Sequence, residues 1–308
     1  MMEGISRYFY ELAFENRFLK FKGMEFQRFF SELMGLAYPG DFKPVRPWGK
    51  DGDQKCDGLL SSKKMLFQVY APNELEQAKT LAKIEVDFHG AVAHWAEHFE
   101  TWTFVHNSTE GLSPEVTRAL GNLKGGVPAK QVETWSHSEL RNIVFELRDS
   151  DINKLLGPPL TTLDVLHVSM KDLKPILDSV ARADIPADAD VRPVPPDKLR
   201  HNKLSDGVAQ FLALGVRKSR LVDDYFRNNA DPQLGDKVAE SFRAQYRSLK
   251  EVGLDPDAIF RELWKFTCGT GLDHSPKHEA AVLAVLAHLF ERCDIFERPE
   301  TGALGSIS

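Results

Sequence analysis

The sequence is short of cysteine: Cys56, Cys268 and Cys293 are the only three among 308 residues. An odd number at unrelated spacings builds neither a disulfide framework nor a four-cysteine zinc site within one chain, and suits a reduced cytoplasmic compartment. Long apolar runs are missing as well. None approaches the roughly 18 to 20 residues that cross a bilayer, and the start MMEGISRYFYELAFENR is amphipathic without a signal-peptide core, so no membrane association is expected. There is no excess of positive charge: 39 Lys and Arg against 45 Asp and Glu leave a net charge of −6. The imbalance is spread evenly, with 18 basic and 20 acidic residues between 181 and 308. A protein that holds nucleic acid mainly by neutralising phosphates shows a basic stripe. Contact with nucleic acid here would need a local patch, a metal or a partner subunit. Internal repeats and low-complexity tracts are also lacking, which excludes solenoids and propellers.

What remains is a globular composition, 42% apolar and 27% charged, long enough for about two domains. Its sharpest break is ADIPADADVRPVPPDK at 183–198, where four prolines deny helix hydrogen bonds. Residues 183–199 therefore read as a linker between a domain at 1–182 and another at 200–308. Helical periodicity marks 4–19 and 24–36, the second placing Phe26, Phe29, Phe30, Leu33 and Met34 on one face beside Glu25. Three short strands follow, PVRPW, KCDGLLS and KMLFQVYA, then a long helix at 73–99 with Asn73 as its N-cap. A strand at 101–107, a helix at 113–123, a strand at 131–135 and a helix opened by Ser136 with Glu139 three residues on complete the first part. After the linker, 203–217, 218–228, 233–250, 256–267 and 276–292 all have helical period, the last apolar nearly all round and so expected at the centre of a bundle or in an interface.

The stretch Gly49-Lys50-Asp51-Gly52-Asp53-Gln54-Lys55-Cys56-Asp57-Gly58, followed by Phe67-Gln68-Val69-Tyr70, carries the most chemistry. Asp57 at one strand end and Gln68 at the middle of its antiparallel neighbour can share a face, and Gln68 and Tyr70 point the same way. Oxygen donors converging from two strands, with Glu25 from a nearby helix, are what a hard cation such as Mg2+ or Mn2+ takes. Such a cation activates water and neutralises charge on a phosphodiester.

With the G-x-x-G-D-x-x-x-D-G string, the Gln68 strand, the long helix and the F-x-H-N strand in place, residues 20–150 resemble the PD-(D/E)xK restriction-endonuclease-like superfamily, and its Mrr-type members in particular. The resemblance implies an α/β core with helices flanking a mixed central sheet. It also implies Asp57 as metal ligand, Gln68 at the E/Q position, Glu25 as the helix carboxylate, and DNA as substrate. Tyr70 stands where the family has lysine. A phenol can hydrogen-bond beside the reacting phosphate but is uncharged at neutral pH. Lys55, two residues before Asp57, or Lys63 and Lys64, would have to supply the charge. Otherwise the domain is catalytically silent and acts as a nucleic-acid-binding or docking platform.

The second part has its own resemblance. Val222-x-x-Tyr225-Phe226, Asp231-Pro232-x-x-Gly235, Asp257-x-Ile259-Phe260 and Leu289-Phe290-x-x-Cys293-Asp294-Ile295-Phe296-Glu297-x-Pro299 look like a C-terminal domain of ABC-three-component defence systems, of which Lamassu is the known representative. This implies an effector subunit in prokaryotic defence against phage or plasmids, working beside an SMC-like ABC ATPase and a small middle subunit, with self-association open.

Other patterns carry less. His94-Trp95-Ala96-Glu97-His98 has the H-x-x-E-H spacing but no downstream acidic ligand, and reads as helix-surface histidines. Cys268, His274, His278, His288 and Cys293 do not follow a zinc-finger spacing. Gly121–Gly126 (GNLKGG) lacks the Lys-Ser/Thr ending of a phosphate-binding loop and reads as a loop.

Overall fold

Clustered aromatic side chains build the first layer of the N-terminal half. The computed structural model describes residues 4–46, 54–108, 110–126, 130–181, 198–268, 275–292 and 294–297. Helix α1 (Gly4–Lys20) is followed by α2 (Gly23–Ala37), whose buried stripe is the expected Phe26, Phe29, Phe30, Leu33 and Met34. Gly23 takes a φ of +49°, which a glycine adopts without steric cost, and its N–H is bonded to the Ala71 carbonyl at 2.6 Å.

Five strands form one mixed sheet in sequence order: β1 (Phe42–Pro44), β2 (Gly58–Leu60), β3 (Met65–Tyr70), β4 (Thr101–His106) and β5 (Gln131–Trp135). The first three pair antiparallel, whereas β3, β4 and β5 pair parallel. Parallel neighbours need crossovers, and these are α3 (Gln77–Trp95) and α4 (Pro114–Gly126). Alternation sorts the β3 side chains. Phe67 meets Phe30 of α2 at 5.3 Å and Trp135 at 5.1 Å between ring centroids. Leu66 and Tyr70 face the other way, into a cluster with Ile84 and Phe88 of α3, Trp102 and Phe104 of β4, and Val116 and Leu120 of α4. Helices thus flank the sheet, as expected of an α/β core.

Several local expectations are corrected. The first strand is Phe42–Pro44; of the expected PVRPW it includes only Pro44, at its margin as an edge strand tolerates, while Val45 and Arg46 follow it and residues 47–48 lie outside the described residues. Helix α3 starts at Gln77 after Glu76, not at an Asn73 cap; Asn73 instead helps line a cavity of about 190 Å3 with Lys22 and Asn107. GNLKGG is the last part of α4, not a loop. Helix α5 (His137–Glu146) does open with the Ser136–Glu139 capping box. Between 149 and 180 the chain adds three helices beyond those expected: α6 (Asp149–Leu156), α7 (Thr162–Leu166) and α8 (Met170–Val180).

The chain divides into two compact units, Ala13–Gly157 and a second made of Met1–Leu12 with Pro158–Ser308. The division falls at Gly157, whose φ of +83° ends α6, rather than at residue 182. The reason is that α7 and α8 pack on the later helices. Of the expected linker, 183–197 lies outside the described residues, and Lys198 and Leu199 belong to a short helix α9 (Lys198–His201).

The second unit is all helical in its described residues, with α10 (Asp206–Val216), α11 (Ser219–Arg227), α12 (Leu234–Glu251), α13 (Pro256–Cys268) and α14 (Pro276–Glu291) close to their expected bounds. Helix α14 is its centre: Ala280 through Phe290 are all buried, against α7, α8, α10, α11 and α13. Helix α10 reaches it through Gly215, where a β-carbon would stand 2.6 Å from the Leu283 carbonyl oxygen. The segment after α14 is tied back by the buried Lys198 ammonium, which donates to the Phe290 and Ile295 carbonyls at 2.7 and 2.6 Å.

Candidate functional site

Asp57 sits immediately before β2. The paired register ends at Gly58 and Phe67. The Asp57 N–H donates to the Phe67 carbonyl at 2.9 Å, so its backbone stays against Phe67 and does not advance to a position opposite Gln68, where strand alternation would place it. Its carboxylate is held by two donors: Oδ2 accepts the Val69 backbone N–H at 2.7 Å and Oδ1 accepts from Gln27 Nε2 at 3.2 Å. Bonds from a strand amide and from α2 fix the plane of this carboxylate at the end of β2.

Gln68 lies on the α3 side of β3, 3% exposed, and its Oε1 has no hydrogen-bond partner. A buried amide oxygen without a donor costs on the order of 1–3 kcal/mol. Tyr70 follows two residues on, half-buried, its ring 6.1 Å from that of Phe104.

Glu25 is not brought to this group. It is exposed in the first turn of α2, and at about 100° of helix per residue it lies about 200° from Gln27. Gln27 is the α2 residue that reaches Asp57, so the helix contributes an amide where a carboxylate was expected. Lys55 is not in a strand either. Gln54 and Lys55 form a turn with φ of +50° and +63°, so the strand alternation that placed Lys55 on Asp57's face does not apply. The turn is docked on α3. Trp95 Nε1 donates to the Gln54 carbonyl at 3.1 Å, and Lys55 Nζ lies 3.2 Å from Asp87 Oδ1. Lys64 pairs with Glu100 and Lys63 lies over the Tyr38 ring. Asp53 and the preceding Gly49–Gly52 segment lie outside the described residues.

Two residues of α3 complete the surroundings. Asp87 is 1% exposed and Lys83 Nζ lies 2.6 Å from its Oδ2 and 5.5 Å from the centre of the Tyr70 ring. Neither was legible as a site residue, because an i, i+4 Lys–Asp pair on a helix is ordinarily a solvated surface pair. The signal that could have found them is position: 83 and 87 each immediately precede a residue of the apolar face of α3, Ile84 and Phe88.

For a divalent cation the donors here are one carboxylate and one amide oxygen. Among the described residues no group of three or more His, Cys, Asp or Glu is placed to hold a metal. Mg2+ is commonly held by one or two carboxylates with waters and substrate phosphates filling the rest of its octahedron. Asp57 offers one such carboxylate, held from the α2 side of the sheet, whereas Gln68 lies on the α3 side, so the described residues do not bring the two donors together. The H-x-x-E-H string does not form a site either: α3 ends at Trp95, and His94, Glu97 and His98 are exposed. Of the Cys–His set, His274 and Cys293 lie outside the described residues, and His288 is buried with Nδ1 3.0 Å from the Ser219 hydroxyl.

No helix is long and apolar enough to cross a membrane among the described residues. No curated protein and no solved structure matches the chain. Residues 171–297, from α8 to the segment after α14, match the family model for C-terminal domain 10 of the ABC-three component (ABC-3C) systems, and this part of the chain is similar to the C-terminal domains of those systems.

Proposed function

We propose that the chain is the effector subunit of a prokaryotic ABC-three-component defence complex and that its α/β unit is a metal-dependent DNA endonuclease. The family match over 171–297 supports the place in such a complex. With it comes the expectation of an SMC-like ABC ATPase and a small middle subunit as partners. The observation that supports the nuclease reading is the Asp57 carboxylate at the end of β2, held in one orientation by the Val69 N–H and by Gln27. Gln68, on the neighbouring strand, is the second ligand that the resemblance implies.

In this reading Asp57 and Gln68 hold Mg2+ or Mn2+, and Glu25, on the exposed flank of α2, is left out of the ligand set. A bound divalent cation supplies activation of a water and neutralisation of developing charge on the phosphodiester. The protein's own part is orientation. Val69 N–H and Gln27 hold the Asp57 carboxylate in one plane, which spares it reorganisation as charge develops. Tyr70 offers a hydroxyl to a phosphate oxygen beside Gln68.

The second reading, a catalytically silent docking platform, rests on Tyr70, which puts a neutral ring where the superfamily's lysine stands. Thermal unfolding with and without metal separates the two. An intact site gains stability from a ligand that binds only the native state, about 2.7 kcal/mol at a hundredfold excess over Kd. The α/β unit should therefore melt higher in millimolar Mg2+ or Mn2+, and Asp57→Ala should remove the gain. A wild-type melting curve indifferent to both metals contradicts the metal site and favours docking.

A further inference from the structure

Beside Gln68 and Tyr70 the structure holds a second group. Lys55, from the left-handed turn, and Lys83, from α3, converge on opposite oxygens of Asp87, at 3.2 and 2.6 Å. Asp87 is all but fully buried, while the two lysine side chains keep 41% and 34% of their surface in contact with solvent. A buried carboxylate costs several kcal/mol unless it is paired.

The arrangement is also built for Lys55. Gly90, one turn along α3 from Asp87, leaves room for the Lys55 stem: a β-carbon there would stand 2.6 Å from Lys55 Cγ. With the Trp95 bond to Gln54, the turn is held at both of its residues. Lys83 is placed as firmly, its ammonium bonded to Asp87 and lying over the face of Tyr70, a cation–π contact. Two ammonium groups fixed on one carboxylate, with their outer surfaces in water, form a pre-oriented anion site. It adjoins a strand whose Gln68 oxygen is buried and unpartnered.

We propose that Lys83 and Lys55, held on Asp87, form a phosphate-binding site for the DNA backbone beside Tyr70, with Asp87 as the positioning residue. The inference rests on the DNA reading of the α/β unit but not on that unit being catalytically active. It gives the chain the local patch that its net charge of −6 otherwise withholds. Such a patch binds phosphate by geometry rather than by bulk charge.

The test is binding of a short DNA duplex by the full chain, in Ca2+ to suppress cleavage, across a series of salt concentrations. Lys83→Gln and Lys83→Arg are compared with Lys174→Gln, which removes a remote lysine. Lys83→Gln should weaken binding about tenfold and lower the salt slope by about one. Lys83→Arg should stay within about threefold of wild type, and Lys174→Gln should match wild type. Asp87→Asn separates positioning from bulk charge. Deleting an acid strengthens anion binding if charge alone matters, so weaker binding by a folded Asp87→Asn variant supports positioning. Should that variant unfold, the same question is read from Asp87→Glu, which keeps the charge and displaces the carboxylate: weaker binding at unchanged net charge supports positioning, and wild-type binding contradicts it.

No duplex binding by wild type, or equal binding by Lys83→Gln and wild type, overturns the site. Cleavage that depends on Asp57 together with binding indifferent to Lys83 would leave the nuclease reading and remove this one. Binding that depends on Lys83 without any cleavage would do the reverse.

Discussion

Gly90 of α3 and Lys55 of the preceding turn are in contact so close that a β-carbon on the glycine would fall 2.6 Å from the lysine Cγ. The obstructed atoms are the Lys55 Cγ and Cβ, close to the backbone of a turn that Trp95 holds, so in Gly90→Ala the turn itself must shift and only part of that cost is offset by helix propensity. What it should also lose is the placement of the Lys55 ammonium on Asp87. The account predicts a lowered melting temperature and DNA binding weakened about fivefold, on the order of one displaced phosphate contact. Unchanged affinity would show that the Lys55 stem finds another path to the same place.

Two buried histidines set an acid limit. Burial pushes His106 in the α/β unit down to about 4, Glu139 opposing only weakly. Burial, helped by Arg292, does the same for His288 in the helical unit, against smaller opposing contributions from Asp223 and Ser219. Each histidine is neutral in the native state at a pH where the unfolded chain, titrating near 6.5, already takes up a proton. Stability therefore falls as pH drops from about 6.5 towards 4, by on the order of 3 kcal/mol per histidine when complete. Melting curves at pH 7.5 and pH 5 should show the loss, and His288→Gln should reduce it for the helical unit. A His288→Gln variant with the full wild-type loss would assign the acid sensitivity elsewhere.

The parts of this fold that were legible in the sequence are those with one strong periodicity. Helices α10 to α14 show in their repeated apolar stripes, and the buried course of α14 in its apolar residues all round. The strands β3 and β4 are largely buried runs rich in aromatic and branched residues and are equally plain. Short or edge elements were not: β1 has three residues and ends in proline, and α6 to α8 are brief, with Pro175 inside the last. The unit boundary at Gly157 was hidden because the proline-rich tract at 183–198 is the louder break, yet contacts made by α7 and α8 decide where a compact unit ends. At the candidate site, strand alternation sets Asp57 and Gln68 on one face, but the Asp57 N–H stays on Phe67 and its carboxylate is held from α2, while Gln68 faces α3. Gln27, Lys83 and Asp87 were not legible, since their roles come from how α2 and α3 lie on the sheet. Lys55 was placed by a strand rule that fails once Gln54 and Lys55 turn left-handed.

The most direct test of the central claim is plasmid cleavage in Mg2+ or Mn2+ by the full chain, alone and with the other subunits of its system, wild type against Asp57→Ala. The account predicts cleavage by wild type and a loss of at least about a hundredfold in a variant that folds and assembles normally. Asp57→Ala that cleaves as fast as wild type, or a wild type that cleaves in no combination, would contradict it.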